Sequence, residues 1–269
     1  MSRRDNQPTN NFIYISIMTT THSTCTITFG DQAENHVGME KIGTLATTGF
    51  TIEDLNQARS WFEKRGYHAV IYDLSASVEA QVAVEKAYFL VVKNGLSAMC
   101  DRDNFLAEQS RLDKDTKAFM YGRVVNKKAR HNLCFDIHGR EPNYEQGQGR
   151  IVAFGDVPLL NTVRLTLPFI IGEKAGSLKA EGNYYYDVSK CGISAHGDSE
   201  RRRVIGVRVG ATLPLRYQWY YQSKPFGSAM DFQLEHGDIY IMSEKAVGTD
   251  WKRRNTPTLR HSAGCAKYL

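Results

Sequence analysis

The front part of the chain carries an apolar pattern with the helical period. From Leu55 to Phe62 apolar side chains recur three or four positions apart, and Thr51 and Asp54 stand at the offset of a capping box. The pattern predicts a helix that begins after Thr51 and ends at Gly66.

Three further elements are predicted after this helix. The apolar run in Tyr67–Leu74 predicts a strand, Ala80–Lys93 predicts a second helix that ends at Asn94, and the charged residues 101–118 predict a helix and a loop. None of these segments has the spacing of a catalytic group. We therefore interpret residues 41–118 as an N-terminal α/β extension that packs on the rest of the protein.

The two ends of the chain differ from this middle part. Residues 1–40 are rich in Thr, Ser and Asn without a sustained apolar period, which predicts a flexible or peripheral arm with one strand at Thr24–Phe29. After residue 150, short strand patterns recur between Gly, Pro or Asn residues, and regular short strands predict a sandwich or jelly roll. These strand patterns are Ile151–Phe154, Val204–Val209, Leu215–Tyr221 and Ile239–Met242. The predicted fold class is α+β.

Composition narrows the class of protein. The chain has 42% hydrophobic and 23% charged residues, and no apolar run approaches the roughly 18 residues of a membrane span. The apolar patch at Phe12–Met18 lacks a cleavage site for secretion. Five scattered cysteines without a Cys-x-x-Cys exclude a disulfide framework and favour a reducing compartment. We expect an intracellular protein, cytoplasmic or nuclear, without a membrane partner; the oligomeric state stays open.

Positive charge is concentrated in two places. The net charge is +5, and residues 201–269 contain 12 Lys and Arg against 5 Asp and Glu. A second cluster comprises Arg123, Lys127, Lys128 and Arg130, and the Gly- and Pro-containing loop Ile137–Arg150 follows it. Such clusters attract phosphate backbones or simply solvate a surface. The basic strands and the loop predict either a lid over a substrate site or an ordinary surface hairpin.

A candidate metal site lies near the end of the stretch Asn183–Asp198. His196 and Asp198 are two positions apart, so on an extended segment both side chains point to the same side. His261 would complete the two-histidine, one-carboxylate triad that holds non-haem Fe(II).

A second His-Gly-Asp pair, at His236 and Asp238, has the wrong spacing for this role. In a jelly roll, several strands lie between the first two ligands and the last histidine, and these strands with their turns take on the order of 50 residues or more. His261 follows His196 by 65 positions but follows His236 by only 25. We interpret the second pair as a turn that leads into the strand Ile239–Met242.

The C-terminal half resembles the AlkB-like family of 2-oxoglutarate- and Fe(II)-dependent dioxygenases. The segment Asn183-Tyr-Tyr185, followed by His196-Gly-Asp198-Ser-Glu200, is similar to that family's Asn-x-Tyr and His-x-Asp-x-acid series. The segments that follow in the same order are Val207–Trp219, Leu234–Asp238, Ile239–Met242 and Arg260–Gly264. The likeness covers about residues 119–268.

The resemblance implies a fold, a chemistry and a set of ligands. It implies a double-stranded β-helix (jelly roll) with a lid over residues 119–269, in which His196, Asp198 and His261 ligate Fe(II). Asn183 and Tyr185 would hydrogen-bond 2-oxoglutarate. Oxygen would be the second cosubstrate, and N-alkylated bases in DNA or RNA would be demethylated with release of succinate, CO2 and formaldehyde.

The implied contacts to cosubstrate and substrate are less direct. Family members hold the distal 2-oxoglutarate carboxylate with arginines well downstream of the last histidine, but only eight residues follow His261 here. Lys267 is therefore one candidate, and Arg216 or Arg208 on a neighbouring strand is another. Glu200 matches an acidic substrate contact, and Gly122–Asp136 would lie near the nucleotide-recognition lid. The candidate substrate contacts are Glu200, Arg123, Lys127, Lys128, Arg130 and Trp251, the last within the basic segment Ser243–Leu259.

Two other functions remain open. The same iron chemistry would serve a hydroxylase of a protein side chain, a free nucleotide or a small molecule. A metal-free β-rich binding module would instead use His196 and His261 only as hydrogen-bonding groups.

Overall fold

The computed structural model describes residues 22–269. Its elements are β1 (Thr24–Gly30), β2 (Gln32–Glu34), β3 (Lys41–Gly43), α1 (Ile52–Glu63), β4 (Ala69–Asp73), β5 (Tyr88–Val92), α2 (Arg102–Arg111), β6 (Lys117–Met120), β7 (Arg123–Asn126), β8 (His131–Asp136), β9 (Ile151–Ala153), α3 (Pro158–Ile171), β10 (Lys179–Tyr185), β11 (Gly192–His196), β12 (Val204–Gly210), β13 (Leu213–Tyr221), β14 (Lys224–Leu234), β15 (Ile239–Met242), α4 (Glu244–Val247) and β16 (Thr258–Gly264). The α+β class is confirmed. None of the helices in this part of the chain is long and apolar enough to cross a membrane.

Two sheets carry the fold. The larger has the order β4-β5-β15-β12-β1-β10-β8-β9 and the smaller has the order β11-β16-β13-β14. All neighbours within them are antiparallel except β8 and β9. Consecutive strands from β10 to β16 move back and forth between the sheets: β10, β12 and β15 lie in the larger one, and β11, β13, β14 and β16 lie in the smaller one.

The larger sheet has two different faces because side chains alternate along each strand. On β12, Ile205 and Val207 pack in the core that also contains residues of α1 and α3. The other face packs on the smaller sheet, where the rings of Phe89 and Tyr217 lie 5.2 Å apart. Between the sheets, the polar side chains of β1, β10 and β12 line a cavity.

The predicted peripheral position of the N-terminal segment is wrong for the residues that the structure describes. The strand predicted at Thr24–Phe29 exists as β1, but it lies in the middle of the larger sheet between β10 and β12, and all seven of its residues are buried. Residues 1–21 of the predicted arm lie outside the described residues. In β1, Thr alternates with apolar residues. These threonines made the segment as polar in composition as a flexible arm, although the strand is buried.

The predicted boundary at residue 118 does not separate two sheets. β4 and β5 belong to the segment interpreted as an extension, yet β5 pairs with β15 and so continues the larger sheet. The extension and the C-terminal strands therefore share one sheet and one core.

Several local predictions are confirmed and two helix assignments fail. The capping box of Thr51 and Asp54 opens α1, and β4 and α2 lie where they were expected. The second helix predicted over Ala80–Lys93 is wrong, because its apolar run forms β5, which is buried between two strands. A short run buried on both faces has no period that separates helix from strand. The helix α3 was not predicted, although Pro158 at its first turn is a start signal.

Candidate metal centre and its cavity

Three side chains meet at one end of the smaller sheet. His196 on β11 and His261 on β16 are direct cross-strand partners with ring centroids 4.5 Å apart. Asp198 follows β11, and its Oδ1 lies 3.4 Å from Nε2 of His196 and 3.5 Å from Nε2 of His261. Ligand atoms of all three lie within 4.8 Å of one another. Two atoms that bind one ion at about 2.1 Å and at right angles to each other lie about 3 Å apart. The three side chains, here called the metal triad, would therefore need to move only slightly closer together to bind one ion.

Local backbone contacts place the triad. Gly197 separates His196 from Asp198, and a Cβ on it would lie 2.0 Å from the carbonyl oxygen of Gly248. The amide of Asp198 also donates to the carbonyl of Val247. The end of α4 is therefore packed on the turn between the two ligands, and only glycine permits that approach.

Both imidazoles present Nε2 to the carboxylate of Asp198. Nδ1 of His196 donates to the carbonyl of Ser194 at 2.8 Å, which directs the lone pair of Nε2 toward the centre. Burial lowers the pKa of His261, and the adjacent His196 lowers it further. Nδ1 of His261 is buried without a hydrogen-bond partner among residues 22–269.

Asp198 is held as a carboxylate. Burial alone would raise its pKa, but the guanidinium of Arg201 and then the imidazole of His261 hold the pKa of Asp198 well below its usual range. Nε of Arg201 lies 3.6 Å from Oδ2 of Asp198, and Nη2 of Arg201 pairs with both Glu181 and Glu200. One buried arginine thus leaves Oδ1 of Asp198 as the oxygen that faces the histidines.

The metal triad lies in the wall of a cavity of about 860 Å³ between the two sheets. Asn183 and Tyr185 on β10 also line it, as the resemblance implied for cosubstrate contacts. Oδ1 of Asn183 accepts hydrogen bonds from Nε of Arg130 and Nδ2 of Asn132. Tyr240 on β15 of the same sheet also lines the cavity, and its ring lies over Gly206, where a Cβ would be 1.9 Å away.

The wall also contains two side chains whose polar atoms have no partner. Arg208 on β12 is 1% exposed, and its Nε and Nη1 have no hydrogen-bond partner in the described part of the chain. Oγ1 of Thr26 on β1 is likewise buried and unpartnered there. Thr26 is the cross-strand partner of Arg208 on one side and of Asn183 on the other, so the three form a row across the sheet.

Arg208 and Thr26 in this row offer unpartnered donors to an anion, whereas the amide of Asn183 is already bonded, its Nδ2 to Oε1 of Glu181. Burial lowers the pKa of Arg208, but a guanidinium stays charged in proteins. A buried charge without a partner is costly, and a bound anion would remove that cost. Thr26 was not singled out from the sequence. Arg208 carried a usable signal, because it is a charged residue within the apolar run of β12.

The other two candidates for the distal carboxylate are wrong in position. Arg216 points away from the cavity and forms a two-pronged ion pair with Asp231. The alternation along β13 explains this, because Leu215 and Tyr217 are the buried neighbours. Lys267 follows β16 and does not line the cavity; its ammonium lies 5.6 Å from the ring centroid of Tyr268.

The predicted substrate contacts divide into three groups. Arg130, Glu200 and Trp251 line the cavity. Glu200 already forms an ion pair with Arg201. Burial raises the pKa of Glu200, and the nearby carboxylates of Asp198 and Glu181 raise it further, while Arg201 opposes this shift. Arg123 and Lys128 are exposed outside the cavity.

Lys127 is not a surface contact. Its ammonium donates to Oδ1 of Asn35 at 2.6 Å and to Oδ1 of Asn132 at 3.0 Å, and burial lowers the pKa of Lys127 to about 8. The prediction that Lys127 binds substrate directly is therefore wrong, because it holds the rim of the cavity together instead.

The second His-Gly-Asp pair has the structural role that its spacing predicted. Asp238 accepts hydrogen bonds from the amide of Asn94 and the ammonium of Lys93, and Nδ1 of His236 accepts one from the amide of Gly210. Both residues lie in the turn before β15.

The chain matches no model of a known protein family. Over 254 residues, 94% of the chain, it is 51% identical to "Uncharacterized protein R156" of Acanthamoeba polyphaga mimivirus, whose entire length is covered. A relative of this identity and coverage shares the fold. The chain therefore belongs to the same protein family as that mimivirus protein.

Proposed function

We propose that this protein is an AlkB-like Fe(II)- and 2-oxoglutarate-dependent dioxygenase that removes N-linked alkyl groups from nucleic-acid bases. One observation carries the proposal: the metal triad shares a cavity with an unpartnered, buried guanidinium, that of Arg208. Two imidazoles and one carboxylate leave cis positions open on an iron ion, and a keto acid with a distant second carboxylate needs a cation elsewhere in the same cavity.

The order of the strands supports a double-stranded β-helix. From β10 to β16 the chain changes sheet at every step except between β13 and β14, which is the order of that fold, and β1 fills the place between β10 and β12. With β1 included, four strands of each sheet form the eight-stranded unit. In this interpretation β1 takes the place that the family gives to a strand after the last histidine.

The residues present fit the proposed ligands. His196, Asp198 and His261 would hold iron, and Arg208 with the hydroxyl of Thr26 would hold the distal carboxylate of 2-oxoglutarate. Bound iron, 2-oxoglutarate and O2 together supply an oxidation in which one oxygen atom enters succinate, CO2 leaves, and the other converts an N-methyl group to a hydroxymethyl group that is lost as formaldehyde.

The rest of the cavity would position the reactants. Arg130 and Asn132 orient the amide of Asn183 so that its oxygen is occupied. The cavity volume falls in the range of sites that enclose small ligands, which leaves room for a base beside the cosubstrate. Cations at the rim, among them Arg130 and Lys252, suit an anionic backbone at the mouth.

Succinate production tests the iron chemistry. Protein with Fe(II), 2-oxoglutarate and O2 should form succinate, and N-methylated oligonucleotides should raise the rate and release formaldehyde. His196→Ala and Asp198→Ala should abolish turnover, while His236→Ala keeps it. Turnover that ignores oligonucleotides would replace the nucleic-acid substrate with a protein or small molecule. Absence of both metal binding and succinate would leave a binding module.

A further inference from the structure

The segment that leads from α4 into β16 carries positive charge without a compensating acid. From Trp251 to Arg260 the chain has four cationic residues and no Asp or Glu. The nearest carboxylate before this stretch, that of Asp250, already accepts a hydrogen bond from the ammonium of Lys245 at 2.8 Å. None of the four cations forms an ion pair within residues 22–269; they are Lys252, Arg253, Arg254 and Arg260.

Two aromatic rings hold the guanidinium of Arg260. Its central carbon lies 4.1 Å from the ring centroid of Tyr220 and 5.3 Å from that of Trp251. Side chains alternate along β16, so Arg260 points away from the face on which His261 meets the cavity. A long side chain that is already held between two rings loses less conformational freedom when it binds a ligand.

Trp251 joins this arginine to the metal cavity. It lines the cavity, and a Cβ on Gly197, the residue between His196 and Asp198, would lie 2.9 Å from Cβ of Trp251. The ammonium of Lys252, another residue of the cavity wall, lies 5.5 Å from the centroid of the same indole ring. Two cations, those of Lys252 and Arg260, are therefore gathered around one ring at the edge of the cavity.

Two N–H groups of this cluster lack an acceptor. Nε of Arg260 and Nε1 of Trp251 are both buried and have no hydrogen-bond partner in the described part of the chain. A buried donor that remains unsatisfied costs about 1–3 kcal/mol. Both groups can only donate, so their missing partner is an acceptor, and the unpaired cations around them favour one with negative charge. A phosphate group has several acceptor oxygens and carries that charge, and its geometry matches the two-pronged donation of a guanidinium.

We propose that Arg260, Lys252 and the indole N–H of Trp251 form a phosphate site at the edge of the metal cavity, which binds a phosphate group next to the base that is oxidised. This inference rests on the proposed nucleic-acid substrate and adds the place where its backbone is held. Arg260 is assigned to substrate binding and not to the oxidation, because it points to the other side of β16 from His261. A free nucleotide carries the same group, so the probes below separate the two sources.

Arg260→Gln is the informative variant because it removes the charge and keeps a polar side chain. Arg260→Lys keeps the charge without the two-pronged geometry. Arg65→Gln is the matched control: the guanidinium of Arg65 also stacks on a tryptophan, 3.6 Å from the ring centroid of Trp61, but Arg65 does not line the cavity.

Three probes contain the same N-methylated base: a nucleoside, its 5′-monophosphate and a short single-stranded oligonucleotide. Affinity is measured by calorimetry in the presence of 2-oxoglutarate, with Mn(II) in place of Fe(II) to prevent turnover. Each titration is repeated over a series of salt concentrations, since the slope of log K against log salt reports the number of phosphate contacts.

Arg260→Gln should weaken binding of the oligonucleotide about 10-fold to 30-fold and reduce the magnitude of its salt slope by about 0.7, the value for one phosphate contact in a single strand. Arg260→Lys should keep the slope and lose less affinity. Every variant should bind the nucleoside as the unaltered protein does, and Arg65→Gln should leave all three affinities unchanged. An equal loss for the monophosphate would support a site for the phosphate of the oxidised nucleotide, and a loss for the oligonucleotide alone would support a site for a neighbouring phosphate.

Two results would overturn the phosphate site while the nucleic-acid substrate stands. One is an Arg260→Gln protein that binds the oligonucleotide with unchanged affinity and salt slope. The other is an Arg260→Gln protein that loses affinity for the nucleoside as well, which would mark Arg260 as a structural residue. If the unaltered protein binds none of the three probes, the proposed substrate fails and the phosphate site fails with it.

Discussion

Replacing Arg208 should make the ligand-free protein more stable and should weaken binding of the proposed cosubstrate, 2-oxoglutarate. The guanidinium is 1% exposed, and two of its nitrogens have no partner within residues 22–269. Exchange of a buried ionic group for a well-packed apolar side chain of similar volume often stabilises by about 1–4 kcal/mol. We expect Arg208→Met to raise the free energy of unfolding by about 2 kcal/mol and the melting temperature by roughly 4–8 °C.

The same substitution should cost most of the affinity for 2-oxoglutarate. A hydrogen bond to a charged group contributes about 1.5–3 kcal/mol, and a carboxylate on Arg208 would form two. The loss of about 3–6 kcal/mol corresponds to a Kd roughly 10²-fold to 10⁴-fold higher. Gain of stability and loss of binding in one variant distinguish a binding residue from a structural one.

Calorimetry with Mn(II) in place of Fe(II) would measure the affinity without turnover. A 2-oxo acid that lacks the distal carboxylate is the internal control, since Arg208→Met should not change its binding. Arg216→Met is the matched variant, because Arg216 pairs with Asp231 outside the cavity. The assignment of Arg208 is refuted if Arg208→Met melts at a lower temperature and binds 2-oxoglutarate as the unaltered protein does.

Three further outcomes are expected. His196→Ala should remove stoichiometric binding of Co(II), seen in its absorption spectrum, whereas His236→Ala should retain it; the opposite result would move the metal site. Thr26→Val removes an unpartnered hydroxyl, so it should leave the melting temperature within about 2 °C while 2-oxoglutarate binds about three-fold to ten-fold more weakly; unchanged binding would exclude Thr26 from the anion site. Burial lowers the pKa of Lys127 in the folded protein to about 8. Between about pH 8 and pH 10 the lysine is therefore protonated in the unfolded chain but neutral in the folded protein. Over this range the free energy of unfolding should rise with pH by up to about 3 kcal/mol. The urea midpoint of the unaltered protein should therefore rise between pH 8 and pH 10, and that of the control Lys128→Met should rise equally, whereas that of Lys127→Met should not show this rise. If the midpoint of Lys127→Met changes with pH as that of the unaltered protein does, the buried position of Lys127 is contradicted.

The parts of the fold that sequence predicted are those fixed by nearby residues. The capping box of Thr51 and Asp54 forms because its groups are three positions apart, and the pair His196 and Asp198 shares one side of an extended segment for the same reason. The spacing of strands selected His196 over His236 as the partner of His261, and His261 is the cross-strand partner of His196.

The failures arise where pairing partners are distant in the chain. Residues of β5 are apolar in succession, and only the presence of β4 and β15 on either side makes them a strand. Whether Arg208 or Arg216 faces the cavity depends on which face of its strand each side chain occupies. Arg216 occupies the polar phase of an alternating strand, while Arg208 interrupts an apolar one, so the sequence already favoured Arg208 as the buried cation.

The proposed anion site includes a residue from β1, a strand that lies far from β10 and β12 in the chain but between them in the sheet. Thr26 belongs to the first strand of the chain, yet it lies between Asn183 and Arg208, which come from the middle and the later part. A sheet is closed by hydrogen bonds between neighbours and is indifferent to the order in which the chain supplies them. A strand at the beginning of the chain can therefore occupy the same position in the sheet as a strand at its end. In the proposed assignment, Thr26 and Arg208 take the role that the family gives to arginines after the last histidine, although Thr26 precedes His261 by more than two hundred positions and lies in a Thr-rich strand whose composition predicted an arm.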